Sequence, residues 1–390
     1  MAIINTRSPF YKTKTSTGVS YGIMELYIWK GIKTSPPTDP TYTVRKSVLN
    51  GSNSYNFEYA ELVRDELNIF FDGTYDNSFS TASVWVKAVL TSYDSSGTII
   101  GSPSTYTDVA FDGYNYFEDG SPIFIEPSLL LTNREIFSLK GNTVRIPIYT
   151  GTNPSIVFYK NGEIVYSEVI SEEDGSDNQI KYLSIYGDDA NWDTFKERVQ
   201  GSKNAIFEDS KCLQDFFKEH GYDSIDRIDV SGSYGIIETV IVKEVEECKY
   251  EPVKVTFVNK FGALQDMHFF KKSVENMVVE KESYKSGGYY NINSHVNKDF
   301  NVIGKESVSL SSGFLSEDYN EVFKQLLLSE QVWITKINTP KNIQDTRSEE
   351  QVLPINVKTS DITYKTSLND KLVEYTIEFD KSYDTINTVR

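Results

Sequence analysis

The chain is poor in the residues that most often carry chemistry. It has 390 residues but only 3 histidines and 2 cysteines, Cys212 and Cys248. Two cysteines cannot form the disulfide framework of a small secreted scaffold, and the predicted helical setting of Cys212 favours a buried free thiol. The first residues, MAIINTRSPFYK, lack a basic region followed by an apolar core, so no Sec-type signal is expected. No apolar run approaches the roughly 20 residues that a membrane helix needs, so membrane insertion is not expected either.

Catalytic and cofactor motifs are also missing. His220, His268 and His295 do not lie in an H-E-x-x-H motif or at zinc-binding distance from a cysteine in the sequence. The chain has no G-x-S-x-G elbow, no phosphate-binding P-loop and no G-x-G-x-x-G fingerprint. Acidic residues in 172–177 suggest calcium as an alternative, but they lack the EF-hand order and favour a solvated loop. These absences favour a structural or binding role over an enzymatic one, and we expect no cofactor and no bound metal.

Positive charge is in short supply. Lysine and arginine total 39 against 56 aspartates and glutamates, which gives a formal net charge of −17. This balance disfavours sequence-independent binding to DNA phosphates and to anionic membranes. It suits a subunit that must stay soluble before assembly, and a wall along which DNA slides without sticking. The second role is a hypothesis, in which DNA is only passing cargo.

Aromatic residues, by contrast, are abundant, with 26 tyrosines and 22 phenylalanines. Tyrosine suits half-buried pleated surfaces, and the length predicts two or three domains. Short strands between turns over residues 1–125 predict an N-terminal β-sandwich of immunoglobulin-like size. Within it, Met24, Leu26 and Ile28 are predicted on one face of a strand and Trp29 on or near the other.

A middle α+β domain is predicted over residues 126–250. Asn161-Gly162 supplies the positive φ angles of a two-residue hairpin turn between apolar runs. Apolar residues at helical spacing predict helices over 188–202 and 208–223. A C-terminal β domain is predicted over 251–390, so the expected fold class is mainly β (α+β) and multi-domain.

One short helix, predicted over 316–329, interrupts the strands of this last domain. Ser316 is its candidate N-cap, and a polar face that includes Gln325 is expected to meet solvent or a neighbour. A helix this short is marginal in water by itself, so we expect it to lean on a sheet. Its predicted buried stripe follows i, i+3, i+4, i+7, i+8 spacing and consists of Tyr319, Val322, Phe323, Leu326 and Leu327.

Several stretches resemble virion proteins of tailed bacteriophages. They are the start MAIINTRSPFYK, YNFEYAELVRDELN (55–68), VTFVNKFGALQDMHFF (255–270) and SGFLSEDYNEVFKQLLLSEQVWI (312–334). The set is similar to the tail hub or tail-ring proteins of crAss-like, podovirus-like phages of Bacteroidetes hosts. This resemblance implies a structural subunit, not an enzyme, made in the bacterial cytoplasm and located in the virion tail. It also implies a C-terminal tail-tube-like β-fold with one flanking helix.

The resemblance further implies partners and structural positions. The subunit would form a homo-oligomeric ring on the tail axis, contact other tail and ring proteins, and help form the DNA-exit channel. The helix residues Tyr319, Phe323 and Leu327 are additional candidates for structural or interface roles. The positions that match the family's phrases are Arg64, Asp65, Asn259, Gly262 and Gly313.

Two other functions remain open from the sequence. A host-surface adhesin or carbohydrate-binding module would use exposed aromatic side chains as sugar-stacking platforms, and a virion polysaccharide-degrading enzyme would need two close carboxylates in a cleft. The four tryptophans lie in apolar runs or stripes, which favours the core over a sugar platform. These tryptophans are Trp29, Trp85, Trp192 and Trp333.

Overall fold

The computed structural model shows a mainly β protein with several sheets, which confirms the predicted fold class. The chain divides into two compact units, the first comprising Met1–Glu246 with Val258–Gln265 and the second Glu247–Phe257 with Asp266–Arg390. The predicted domain boundary near residue 125 stays a prediction. The structure describes residues 2–49, 51–73, 83–119, 128–139, 144–169, 180–185, 225–232, 235, 237–245, 249–288, 291–337, 350–364 and 372–386.

The first unit begins with seven strands and one short helix. Five strands form a sheet in the order β1-β7-β6-β3-β4, while β2 pairs with β5 in a separate two-stranded sheet. Strands β6 and β7 pair antiparallel on either side of the DSSG turn (94–97). The elements are β1 (Ile3–Asn5), β2 (Tyr11–Thr15), β3 (Tyr21–Trp29), β4 (Tyr42–Ser47), β5 (Ser54–Glu58), α1 (Ala60–Arg64), β6 (Ser83–Tyr93) and β7 (Ile99–Phe111).

Strand β3 is covered on both faces, as its alternation predicts. Met24, Leu26 and Ile28 lie in one buried cluster with residues of β5 and α1. Trp29 lies on the opposite face, where it is directly paired with Trp85 of β6 and belongs to a second buried cluster. Because side chains alternate along a strand, one stretch of sequence supplies both cores. The β2–β5 pair and helix α1 cover one face of the five-stranded sheet, which gives the layered β arrangement expected for this region.

Seven further strands complete the first unit within the described residues. A five-stranded sheet has the order β11-β10-β13-β14-β8, and β9 pairs with β12. The predicted hairpin is confirmed: Asn161 and Gly162 have φ angles of 51° and 82°, as a type I′ turn requires. These strands are β8 (Glu135–Leu139), β9 (Val144–Tyr149), β10 (Ser155–Lys160), β11 (Glu163–Val169), β12 (Ile180–Ile185), β13 (Arg227–Ser231) and β14 (Ile237–Val245).

The described residues from 249 onwards form a seven-stranded sheet, a pair of two-residue strands and one helix. The sheet order is β16-β15-β20-β21-β23-β18-β17, and β19 pairs with β22. The elements are β15 (Val253–Val258), β16 (Leu264–Phe269), β17 (Ser273–Lys285), β18 (Asn297–Ser311), β19 (Leu315–Ser316), α2 (Tyr319–Leu328), β20 (Val332–Ile337), β21 (Glu350–Val357), β22 (Leu372–Val373) and β23 (Thr376–Lys381).

Helix α2 is shorter than the predicted 316–329, and Ser316 is not its cap. The backbone of Ser316 pairs with Leu372 as part of β19, so the chain cannot turn helical until Asp318, which occupies the N-cap position without a side-chain capping bond. The predicted polar face is also partly wrong. Gln325 is fully buried, and its amide donates to Glu321 Oε1 at 3.0 Å.

The helix does lean on the sheet, as expected for so short an element. The Phe323 ring is fully buried, and its centroid lies 6.4 Å from that of Phe269 in β16 in an edge-on arrangement. Phe269 in turn meets Phe379 of β23 at 6.1 Å. The predicted helices 188–202 and 208–223, with Cys212, lie outside the described residues.

Candidate assembly surface

The most unusual feature of the second unit is the hairpin formed by β17 and β18. Strand β17 is the last strand of its sheet, and every one of its 13 residues is exposed. Within β18, only Ser307–Ser311 pair with strand β23. Residues 297–306 of β18 and their partners in β17 therefore extend past β23 as a two-stranded ribbon about 30 Å long, at about 3.3 Å per residue.

Apolar side chains are exposed on both faces of this ribbon. Met277, Val278 and Val279 are 55%, 59% and 52% exposed, and neighbours along a strand point to opposite faces. Further out, Tyr284 and Phe300 are about half exposed and pack edge to face at 5.6 Å. A two-stranded hairpin with apolar residues in water on both faces is marginally stable, so the ribbon is suited to being covered.

Ion pairs tie the two strands of the ribbon together. Lys305 Nζ donates to both carboxylate oxygens of Glu280 at 3.0 Å, and this hydrogen bonding raises the pKa of Lys305. Lys281 Nζ lies 2.7 Å from Asp299 Oδ2. All four side chains are well exposed, so these pairs set geometry more than stability. Charges along an edge strand also keep free chains from pairing indiscriminately.

A β-bulge interrupts the ribbon near its middle. Glu280 pairs with Ile303 and Glu282 with Phe300, so β18 has one more residue than β17 in this interval. Asn301 lies in the extra segment with a φ angle of 53°, a left-handed conformation that asparagine tolerates better than most residues. Bulges bend a strand and increase its local twist, so the outer part of the ribbon is turned relative to its base.

The ribbon has two different edges. Strand β17 ends the sheet on one side, and on the other side the segment 297–303 of β18 has no paired strand among the described residues. Such rows of backbone N–H and C=O groups are templates for pairing with another chain. Because the two edges differ, pairing of β17 from one copy with β18 of the next would be head to tail.

The predicted residues of the helix and its approach lie in the second unit. Tyr319 and Phe323 are buried, whereas Leu327 is half-buried. The Phe323 ring also meets the Tyr375 ring, with centroids 4.7 Å apart. Gly313 has a φ angle of 69°, and a Cβ there would lie 3.1 Å from side-chain carbons of Lys271. Tyr319, Phe323 and Gly313 therefore have structural roles within the subunit, while Leu327 is still partly accessible.

The VNKFG phrase forms the turn between β15 and β16. Asn259 is fully buried; its Oδ1 accepts from the backbone N–H groups of Phe261 and Ala263, and its amide donates to the Leu130 carbonyl at 2.7 Å. The same amide lies 3.1 Å from Gln265 Oε1, whose own amide donates to Asn133. Asn259 thus satisfies its hydrogen bonds within the first unit.

Gly262 is placed where no other residue fits without strain. Its φ angle is 77°, and an added Cβ would lie 2.8 Å from the Asp112 nitrogen and 2.9 Å from the Gly113 nitrogen. Gly113 likewise leaves no room for a Cβ, which would lie 2.7 Å from the Lys260 carbonyl oxygen. The turn of the VNKFG phrase and the end of β7 therefore touch backbone to backbone.

Arg64 is brought to the same neighbourhood. Its Nε lies 3.3 Å from Asp112 Oδ1, and Asp112 is largely buried. Asp65 is exposed and follows α1 as its C-cap residue, with its N–H bonded to the Glu61 carbonyl. The structure thus gathers Arg64, Asn259 and Gly262 around the segment after β7, while an intermolecular role for Asp65 stays a prediction.

Two other sequence predictions concern aromatic and ionisable residues. Trp29, Trp85 and Trp333 are buried, as their apolar contexts indicate, and Trp192 lies outside the described residues. His268, which lies in no zinc-binding motif, is buried on β16. Its ring lies 6.2 Å from that of Phe270.

Neither a metal centre nor a membrane helix was found in the described part of the chain. No group of three or more His, Cys, Asp or Glu side chains there is arranged to hold a metal ion. The helices that the structure describes include none with the length and hydropathy to cross a membrane. The acidic loop 172–177 lies outside the described residues.

The sequence reasoning did not single out the β17–β18 ribbon. The segment 274–279, VENMVV, has apolar residues at both odd and even positions, which is typical of a strand covered on both faces. The one usable signal was the density of charge that follows, EKESYK over 280–285, which is unusual for a strand covered on either face.

Comparisons with known proteins give no identification. No protein-family model and no curated protein matches the chain. Among solved structures, it is similar to CBD12 from CALX1.2, with a TM-score of 0.20 and 11% identity over 62% of this chain and 95% of that one. CBD12 of CALX1.1 gives a TM-score of 0.19 at the same identity and coverage. A bacterial ice-binding adhesin gives 0.14 at 9% identity, over 80% of this chain and 88% of that one. Likenesses this weak carry no argument about fold or function.

Proposed function

We propose that the protein is a virion structural protein, a tail hub or tail-ring subunit that assembles around the tail axis. The observation that carries this proposal is the β17–β18 ribbon, which exposes apolar residues on both faces and offers two open edges. A free subunit gains nothing from such a ribbon, whereas a ring of subunits covers it on both sides. The occupant of each edge is a second copy of this chain.

Head-to-tail pairing gives this proposal its geometry. If β17 of one copy pairs with segment 297–303 of the next, each contact joins two different surfaces, and a closed rotation yields a ring. The ribbons would then form a continuous strand wall, in which each open edge finds its backbone partner. The residues with the largest part in the contact are Met277, Val278 and Val279, because they are the most exposed apolar residues of β17.

The acidic balance supports the proposed setting. A net charge of −17 favours a wall past which DNA moves without binding. On this proposal, the subunit helps form the DNA-exit channel, contacts neighbouring tail proteins, resides in the virion tail and catalyses no reaction. The sugar-binding alternative gains nothing from the three described tryptophans, since their side chains are buried.

The decisive experiment measures self-association of the purified chain. Sedimentation velocity and negative-stain electron microscopy should show rings, or ring fragments that grow with concentration. The double variant Val278→Lys, Val279→Lys places a charge on each face of the edge strand and should leave the chain monomeric and folded.

A matched control keeps the charge change but moves it elsewhere. Leu49 and Phe117 are 83% and 101% exposed in the first unit, so the double variant Leu49→Lys, Phe117→Lys should assemble like the unaltered chain. The proposal fails if the unaltered chain stays monomeric at every concentration and in the presence of the other tail proteins. It also fails if both lysine variants assemble equally well.

A further inference from the structure

The segment that follows β23 runs along the edge of β18. The ladder between β18 and β23 ends with Ser307 opposite Asp380. Beyond it, the Thr385 N–H donates to the Gly304 carbonyl at 2.9 Å, and the Thr385 hydroxyl donates to Glu306 Oε1 at 3.0 Å. At the start of the segment, Ser382 donates its N–H and its hydroxyl to the Pro354 carbonyl of β21, at 3.2 Å and 3.0 Å. The rest of residues 382–386 therefore occupies the part of the β18 edge between the ladder and the open segment 297–303.

Gly304 leaves the room that this contact needs. A Cβ at this position would lie 3.1 Å from the Thr385 hydroxyl oxygen and 2.5 Å from the Met277 terminal methyl carbon. Glu306 accepts from Lys381 as well as from Thr385, so one carboxylate anchors both the end of β23 and the segment beyond it. The position of the segment is thus set by contacts of Ser382 with β21 and of Thr385 with β18.

The segment is nevertheless held weakly. All five of its residues, 382–386, are exposed, whereas β23 buries Ile377 and Phe379. Surface backbone hydrogen bonds with few buried apolar contacts belong to the least stable parts of a structure, which open without global unfolding. Loops that cover a strand edge are also one of the ways in which proteins prevent unwanted pairing.

We propose that residues 382–386 are a removable strap over the β18 edge. In the free chain the strap blocks Gly304–Glu306, so that only the outer segment 297–303 is open. When β17 of a second copy pairs with that segment, it extends along the edge and displaces the strap back towards Lys381. This inference rests on the proposed function for the identity of the incoming strand, and it makes strap release a step of assembly.

The test uses chains that cannot assemble, so that edge access is measured separately. In the Val278→Lys, Val279→Lys background, binding of a fluorescent peptide with the sequence of β17, residues 273–285, is followed by anisotropy. Truncation after Lys381 should tighten peptide binding about tenfold, the ratio expected when two surface hydrogen bonds no longer compete.

Two full-length variants separate release of the strap from any damage caused by truncation. Thr385→Pro removes the N–H donor together with the hydroxyl and should match the truncation. Thr385→Val removes only the hydroxyl and should give a smaller gain. Ile386→Ala, the control, keeps both Thr385 hydrogen bonds and should bind like the parent. Bound peptide should also speed hydrogen exchange of the Thr385 amide in the parent.

The outcomes distinguish the strap from the proposed function. Equal peptide binding across the series, or no binding by any member, overturns the strap even if the unaltered chain forms rings. Tighter binding after strap release supports it even if the unaltered chain never assembles, a result that would count only against the ring.

Discussion

Two consecutive hairpins, β15–β16 and β17–β18, form the opposite ends of the seven-stranded sheet and have opposite environments. Strand β16 is almost entirely buried, and its turn is fixed by Asn259 and Gly262. Strand β17 is exposed at every residue, although it also carries several apolar side chains. The difference teaches that apolar content does not determine burial. What distinguishes the hairpins is that the turn of the first is held by buried contacts, whereas the ion pairs and the ring contact along the ribbon of the second are exposed.

The largest difference in stability is expected when one apolar side chain is truncated in each hairpin. Phe269→Ala removes a fully buried ring that contacts Phe323 and Phe379, and we expect a loss of about 3–5 kcal/mol in the unfolding free energy. Met277→Ala in the ribbon should change it by less than about 0.5 kcal/mol. Urea unfolding measures the unfolding free energy of each variant, and hydrogen exchange shows in which region stability is lost. Similar losses would show that the ribbon is part of the folded core.

The second prediction concerns the polar residue that holds the turn. Asn259→Ala leaves the N–H groups of Phe261 and Ala263 and the Leu130 carbonyl without their partner, so we expect a loss of about 3 kcal/mol. Asn291→Ala, in the exposed loop of the ribbon, is the control and should be neutral, because that side chain is exposed. The same unfolding measurement applies, and a neutral Asn259→Ala would contradict the fixed turn.

Glycine positions give a third test. Gly262→Ala combines a positive φ angle with contacts of 2.8–2.9 Å to backbone nitrogens, and should cost about 2 kcal/mol or more. Gly287→Ala in the ribbon loop meets open space and should have no measurable effect. Thermal unfolding of the two variants side by side decides this point, since a tolerated alanine at 262 would mean that the close approach to β7 yields easily.

The smallest effect is expected at the bulge. Asn301→Val places a β-branched residue at a φ angle of 53° and should cost about 1–2 kcal/mol locally, whereas Asn301→Gly should be neutral or slightly favourable. Because the ribbon is exposed, the loss should appear as faster hydrogen exchange within 297–306, while global unfolding stays unchanged. A lower global stability would tie the ribbon to the core more closely than its exposure indicates.

Much of the local structure could be read from the sequence. Period-two alternation placed Met24 and Trp29 on opposite covered faces, and Asn161-Gly162 fixed a hairpin through its φ requirements. The buried stripe of α2 followed from spacing, but its start did not. Nothing near Ser316 indicates that its backbone pairs with Leu372, more than fifty positions away along the chain.

The candidate site was less accessible to sequence reasoning. Asn259 and Gly262 were singled out through a resemblance, and their roles became visible only when the structure brought the end of β7 against their turn. The ribbon was missed because a strand's burial depends on its place in the sheet, and sheet order is a long-range property. Gln325 was misassigned for a related reason: a polar side chain can be buried when Glu321, one helical turn before it, accepts its amide hydrogen.

The bulge at Asn301 has a consequence for the size of any assembly built from this chain. The extra residue adds local twist without disturbing the pairing on either side, since Glu280 and Glu282 keep their partners. When ribbons pair side by side in a closed wall, their twist tilts the strands relative to the axis. Strand tilt and strand number together set the diameter of such a cylinder. Deleting Asn301 would remove this local twist, so on the proposed function the bulge would help to set the diameter of the channel.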